Sequence, residues 1–207
     1  MPLGFVVLSK RTGVVVLMML ILVHALHGAS ASAQKAKSAA KAPPAVAELV
    51  VRYGVEGLPQ PVIDMREAIL SAVRSGRIEE IKIAIELNEL KPTFGDGPAG
   101  DPLAYLKQVS GDGEGREILA ALANILEAGY VTLPLGRDPE NTKVFVWPYF
   151  AETGVANLTP AREVELLRLV PPAAAKAMRE DGKFTYWQIG IGADGVWHFL
   201  RKAPAVR

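Results

Sequence analysis

The apolar residues of this chain change period partway along, and that change limits the fold more than any other feature. From Pro61 to about residue 128 they recur every three or four positions. From Tyr130 onward most apolar runs are short, rich in valine and aromatic residues, and bounded by glycine, asparagine or aspartate. The first pattern belongs to helices with one buried face, the second to strands joined by turns. Helices first and strands later predict an α+β domain, with helices packed on a small, mainly antiparallel sheet that ends in a β-hairpin.

The helical half divides at its punctuation. Pro61 opens a helix carrying Met65, Ile69 and Val73, and Gly76 closes it. A second helix runs from Ile78, with Ile81, Ile85 and Leu90 on one face, and Pro92 ends it. The two form a hairpin. Residues 93–102 (TFGDGPAGDP) are dense in turn formers and read as a loop. Leu103, Leu106 and Val109 mark a short third helix. Ile118, Leu122 and Ile125 mark a fourth that stops at Gly129. Residues 45–60 open with an apolar stretch that suits a strand or a helical turn.

In the second half, residues 130–135 and 143–147 read as strands. Thr159-Pro160 starts a helix that Val164 and Leu167 carry to Pro171-Pro172, and an alanine-rich helix ends at Asp181-Gly182. The strongest β signal is last: residues 183–191, the turn Gly192-Ala193-Asp194-Gly195, and residues 196–202.

Ahead of all this stands an export leader. Lys10 and Arg11 precede the apolar run 14–26, and Ala31-Ser32-Ala33 follows as a cleavage site, leaving Gln34 as the new N-terminus. The run falls short of the ~20 residues of a membrane-spanning helix. Residues 1–33 are therefore expected to be a cleaved signal peptide, and residues 34–44 (QKAKSAAKAPP) a flexible linker. Residues 45–207 would be one domain, periplasmic or secreted, without a permanent membrane span. The whole chain carries 23 basic and 22 acidic side chains, and removing Lys10 and Arg11 takes the formal charge from +1 to −1. Such a balance supplies no broad field for gripping nucleic acid. With no cysteine there is no thiolate nucleophile, disulfide or zinc-thiolate site.

The catalytic candidates are few. Once His24 and His27 leave with the leader, His198 is the remaining histidine, so a multi-histidine metal site is excluded and no metal or cofactor is expected. Hairpin parity places His198 on the apolar face with Ile189, Ile191, Val196 and Leu200, which reads as a core position rather than a base. No serine stands in a Gly-x-Ser-x-Gly elbow. Paired carboxylates hydrolysing an envelope polysaccharide would have to be Glu152, beside Trp147-Pro148-Tyr149, and Asp194 at the hairpin bend. Asp194 also suits its turn without any further role.

Nine aromatic residues lie between Phe145 and Phe199, all three tryptophans among them. Trp147, Tyr149, Trp187 and Trp197 are the candidates for a ligand platform, a flat apolar surface for a sugar or similar molecule. The competing expectation is core packing, with Trp197 covering Gly190 across the hairpin. Two glycine-rich acidic loops, Gly95-Asp96-Gly97 with Asp101 and residues 111–115, match neither a phosphate cradle nor a calcium loop closely. Their acids repel phosphate, and the alternating ligands of an EF-hand are missing.

The stretches AVRSGRIEEIK, DPLAYLKQVSGDGEGREIL, KVFVWPYFA and YWQIGIGADGVWHFL resemble a group of exported bacterial proteins with no assigned function. That resemblance brings no catalytic residues. More loosely, a helical hairpin at the start and a Gly-x-Trp hairpin at the end look like the cone-shaped α+β superfamily of nuclear transport factor and polyketide-cyclase-like proteins. The long helical stretch 103–128 departs from that pattern, because there the sheet would already have begun. The expected function is non-catalytic: an exported protein that binds a small molecule or an envelope component. A carboxylate-dependent hydrolase and a structural protein-interaction domain are the alternatives.

Overall fold

The computed structural model describes residues 49–95, 100–136 and 142–202, all within one compact unit. The expected leader and linker lie outside the described residues. Among the described residues, seven α-helices pack on a five-stranded mixed sheet of order β1-β5-β4-β3-β2, so the α+β class read from the periodicity holds.

Helix α1 (Gln60–Ser75) starts with Pro61 in its first turn and stops where Gly76 adopts φ 67°. It buries Val62, Met65, Ile69 and Ala72, so the stripe runs one residue away from the expected Val73. A 3₁₀ turn (Ile78–Glu80) leads into α2 (Ile81–Glu86), which buries Ile78, Ile81, Ala84 and Ile85. The expected continuation to Pro92 does not occur, and Leu90 is 80% exposed. The cause is Asn88, whose amide donates to the carbonyls of Ala84 (2.9 Å) and Ile85 (3.2 Å). Side-chain bonding to the last turn competes with further helix.

The stretch expected as a loop begins with a strand, β1 (Thr93–Phe94), lying parallel to β5 (Trp197–Lys202). Two residues show no period in the sequence, yet Phe94 is buried, its ring 5.3 Å from that of Trp197. Helix α3 (Pro102–Val109) is capped by Asp101, which accepts from the Leu103 amide at 3.0 Å. Helix α4 (Arg116–Glu127) carries the predicted Ile118, Leu122 and Ile125 in the core. Gly129 is not a left-handed stop. A Cβ there would sit 2.8–2.9 Å from Tyr53, Tyr149 and Val51, so the glycine permits close packing.

Strands β2 (Val131–Pro134) and β3 (Lys143–Trp147) are where the sequence placed them. An unpredicted short helix, α5 (Phe150–Thr153), follows the cis peptide Trp147–Pro148. Helix α6 (Pro160–Leu169) is capped by Thr159 as expected, but it buries Leu166 and Leu169, while Val164 and Leu167 are exposed. Helix α7 (Pro172–Asp181) ends at Gly182, and β4 (Trp187–Gly192) then takes the centre of the sheet, buried along its whole length.

The β4–β5 register corrects two expectations. Gly190 faces Phe199 but Ile191 faces Trp197, so His198 is the extra residue of a β-bulge. One inserted residue reverses the alternation. Trp197 and Leu200 both turn to the core with Ile189 and Ile191, and His198 is only partly buried. Phe199 rather than Trp197 covers Gly190: a Cβ on that glycine would lie 2.4 Å from the Phe199 ring. The Trp197 amide, turned out of the ladder by the bulge, donates to Asn88 Oδ1 at 2.7 Å. That bond ties the end of α2 to the hairpin.

Candidate functional site

The sheet register decides the fate of the aromatic candidates. Phe145 and Trp147 pair with Ile191 and Ile189, so their rings share the face that also carries Trp197 and Leu200. Trp147, Tyr149 and Trp197 are 0% exposed and Trp187 is 3% exposed. They do not converge on one spot. Trp147 packs against Tyr130 at 5.0 Å, Trp197 against Phe94, and Trp187 lies beneath the Lys202 ammonium at 5.1 Å. A platform needs a ring face open to a ligand. In this state these rings fill the core.

The titratable candidates separate as well. The carbonyl of Lys143, at the start of β3, accepts the Ala193 amide, which places Asp194 beyond that end of the strand. Glu152 follows the other end, past Trp147, on α5. A five-residue strand is ~17 Å long, whereas carboxylates that share a glycosidic bond stand ~5–9.5 Å apart. Glu152 and Asp194 therefore lie toward opposite ends of β3, an arrangement that does not suit a hydrolytic pair. Asp194 caps its own turn, accepting from the Val196 amide at 3.0 Å. His198 is near enough to Asp194 to feel its charge. Burial nevertheless dominates and holds the imidazole below its ordinary value, with Asp194 opposing.

The glycine-rich loop before α4 is occupied by its own carboxylate. Asp112 accepts from the amides of Glu114 (3.3 Å), Gly115 (3.1 Å) and Arg116 (3.1 Å), and from the Ser110 hydroxyl. These bonds, the Ser110 one foremost, hold its carboxyl below the usual range. The helix N-terminus thus has its anion already. Asp96 and Gly97 lie outside the described residues. Among the described residues no three His, Asp or Glu side chains gather as a metal site would require.

Two features stand out that sequence reasoning missed. The first is the outer side of α2. Ile83 and Leu87, one turn apart, are 60% and 62% exposed and form a short apolar ridge, and Leu90, past the end of the helix, is 80% exposed. Clefts of about 430 Å³ (beside Arg77 and Ile83) and 220 Å³ (beside Leu87, Met65 and Val196) border the ridge. The signal was present in IKIAIEL, where apolar residues alternate by two along a helix. At 100° per residue, Ile81 and Ile85 take one side and Ile83 and Leu87 the opposite one. Charged groups flank the ridge, with Lys82 and Glu86 paired at 3.4 Å and Arg77 with Glu80.

The second feature joins three distant segments. The Tyr53 hydroxyl donates to Glu165 on α6, 3.0 and 3.1 Å from its two oxygens, and the Arg162 guanidinium lies 5.4 Å from the centre of the Tyr149 ring. Burial, then the Glu165 bond and charge, raise the Tyr53 phenol above its ordinary value. Tyr149 is raised further, by burial first and then by Glu165 and Tyr53. A small cleft of about 50 Å³ adjoins, lined by Tyr53, Asn124, Glu127, Arg168 and Leu169 among others. No period or motif links residue 53 to residue 165.

Comparison with protein-family models, with curated proteins and with solved structures finds no significant match to this chain. The described geometry therefore carries the functional argument. No helix among the described residues is long and apolar enough to cross a membrane.

Proposed function

We propose that this chain is an exported, non-catalytic binding domain of the periplasm or cell exterior, contacting another envelope protein through the outer face of α2. The observation that carries the reading is the exposure of Ile83 and Leu87 on α2 and of Leu90 just past its end, at 60%, 62% and 80%. Single exposed apolar residues are ordinary, but three between residues 83 and 90, beside clefts and among charges, are how a protein-contact surface is built. The charged start, short apolar run and Ala31-Ser32-Ala33 site support export. The separation of Glu152 from Asp194 supports binding over hydrolysis.

The test is site-specific photocrosslinking in intact cells. A photoreactive residue at Leu87 is expected to give an adduct of one discrete mass, lost when Ile83→Asp is added. The same group at Lys176, an exposed position on α7, is expected to give none. Equal labelling at both positions would refute the surface. Cell-wall glycan turnover that disappears in a folded Glu152→Gln variant would refute the non-catalytic reading.

A further inference from the structure

The segment before α1 is held against the core by a few polar bonds, by the partly buried Leu49 and Val51, and by the Tyr53 ring, which meets that of Tyr149 edge-on at 6.4 Å. Arg52 and Tyr130 exchange two backbone hydrogen bonds, of 2.9 and 2.8 Å, in a bridge that extends no further. The Tyr130 hydroxyl donates to the Glu56 carbonyl at 3.2 Å, and Tyr53 is pinned to Glu165. Val50, Tyr53 and Val55 are 67%, 51% and 45% exposed, and Leu49 and Val51 are only partly buried, so no apolar side chain of residues 49–57 is fully buried. Gly54 and Gly57, with φ 67° and 80°, supply turns next to its point of attachment. A segment with few buried apolar contacts and a short hydrogen-bonded ladder opens far more readily than the core beneath it.

What lies beneath is incompletely satisfied. The Tyr149 hydroxyl is buried and makes no hydrogen bond of good geometry, though Tyr53 is close by. Buried polar groups in folded proteins nearly always have well-formed bonds, and a hydroxyl whose neighbour is the poorly aligned Tyr53 has capacity for a better-placed partner. Around it stand a carboxylate that already accepts a hydroxyl (Glu165), a guanidinium (Arg162) and, in the adjoining cleft, an amide (Asn124).

We propose that residues 49–57 are a releasable strap over a binding site for a sugar ring, with Tyr53 as the internal occupant. When Tyr53 swings outward, its place beside Glu165 and Tyr149 is open to a ring of similar size. Ring hydroxyls donate to the Glu165 carboxylate as the phenol does now. Ring oxygens accept from the Tyr149 hydroxyl, Arg162 and Asn124, and the ring's apolar face meets aromatic carbon. This site is separate from the α2 ridge and stands or falls independently of it.

The test uses the full chain as processed by the secreting cell. In hydrogen exchange, the Arg52 and Tyr130 amides are expected to exchange at least ~100-fold faster than those of β4. Exchange only together with β4 would overturn the strap. For binding, the probe is the linear tetramer of N-acetylglucosamine, measured by titration calorimetry. Tyr53→Ala, which removes both the pin and the ring that fills the site, should bind it at least ~10-fold tighter than the unaltered chain, and Tyr53→Phe, which loses the pin but keeps the ring, should gain less. Adding Glu165→Gln should abolish that gain. No binding by either Tyr53 variant, or binding indifferent to Glu165→Gln, would overturn the sugar site.

Discussion

Asn88→Ala tests the joint between α2 and the hairpin. The bulge at His198 turns the Trp197 amide out of the ladder, and Asn88 Oδ1 receives it at 2.7 Å; Trp197 itself is 0% exposed. Removing the acceptor leaves a buried donor unpaired, at about 1–3 kcal/mol. The same substitution strips the Asn88 amide from the carbonyls of Ala84 and Ile85. Those groups lie at a helix end where water can replace the side chain, so their loss adds about 0.5–1 kcal/mol. The sum, about 1.5–4 kcal/mol, lowers Tm by about 3–16 °C for a domain of this size. Urea denaturation gives the energy, and hydrogen exchange gives the place: the Trp197 amide should lose protection while that of Leu200 keeps it. A variant within about 0.5 kcal/mol of the unaltered chain, or one whose Trp197 amide stays protected, would refute this account of the bulge.

Three further outcomes follow from the same geometry. The Trp147 indole N–H is buried without a partner, whereas that of Trp197 donates to the Phe199 carbonyl at 3.0 Å, so Trp197→Phe should cost about 1–3 kcal/mol more than Trp147→Phe in urea melts; equal costs would contradict it. At Gly115 the backbone has φ 84° and an added Cβ would lie 2.6 Å from Ile78 Cγ1, so Gly115→Ala combines left-handed strain with overpacking and should cost about 2–5 kcal/mol in the same assay. His198 is held below its ordinary value by burial, so the unfolded chain protonates first as pH falls. Its contribution is complete above about pH 6.5 and is lost as pH drops through the folded value. The decline in urea midpoint between about pH 7.5 and 5.5 should therefore be shallower in His198→Gln, and an unchanged slope would count against it.

Most of the elements were legible because their signals are local. Pro61 with Gly76, Thr159-Pro160 with Gly182, and the Asp194-Gly195 bend each mark a boundary through a backbone preference that needs no neighbour. The helical stripes and the alternating strands likewise follow from burying one face of a regular element. Where the reading failed, a partner remote in sequence made the decision. α2 stops at Glu86 because Asn88 has both its own last turn and the hairpin to serve. Thr93–Phe94 is a strand because β5 is there to pair with.

The candidate site was far less legible, for the same physical reason. Residue type nominated Trp147, Tyr149, Trp187 and Trp197, but exposure is a property of the assembled fold: the sheet register turned the three tryptophans inward, and Tyr149 is buried at the start of α5. One inserted residue at His198 exchanged the faces of the last strand, because strand alternation has period two and any shift of one reverses it. Order and class of the elements, the export leader as an expectation, and the poverty of catalytic groups came from the amino-acid sequence alone. The depth of each aromatic ring, the separation of Glu152 from Asp194, the bare ridge on α2 and the meeting of Tyr53 with Glu165 came only with the tertiary structure. Local preference acts over a few bonds, whereas these are distances between segments that only packing brings together.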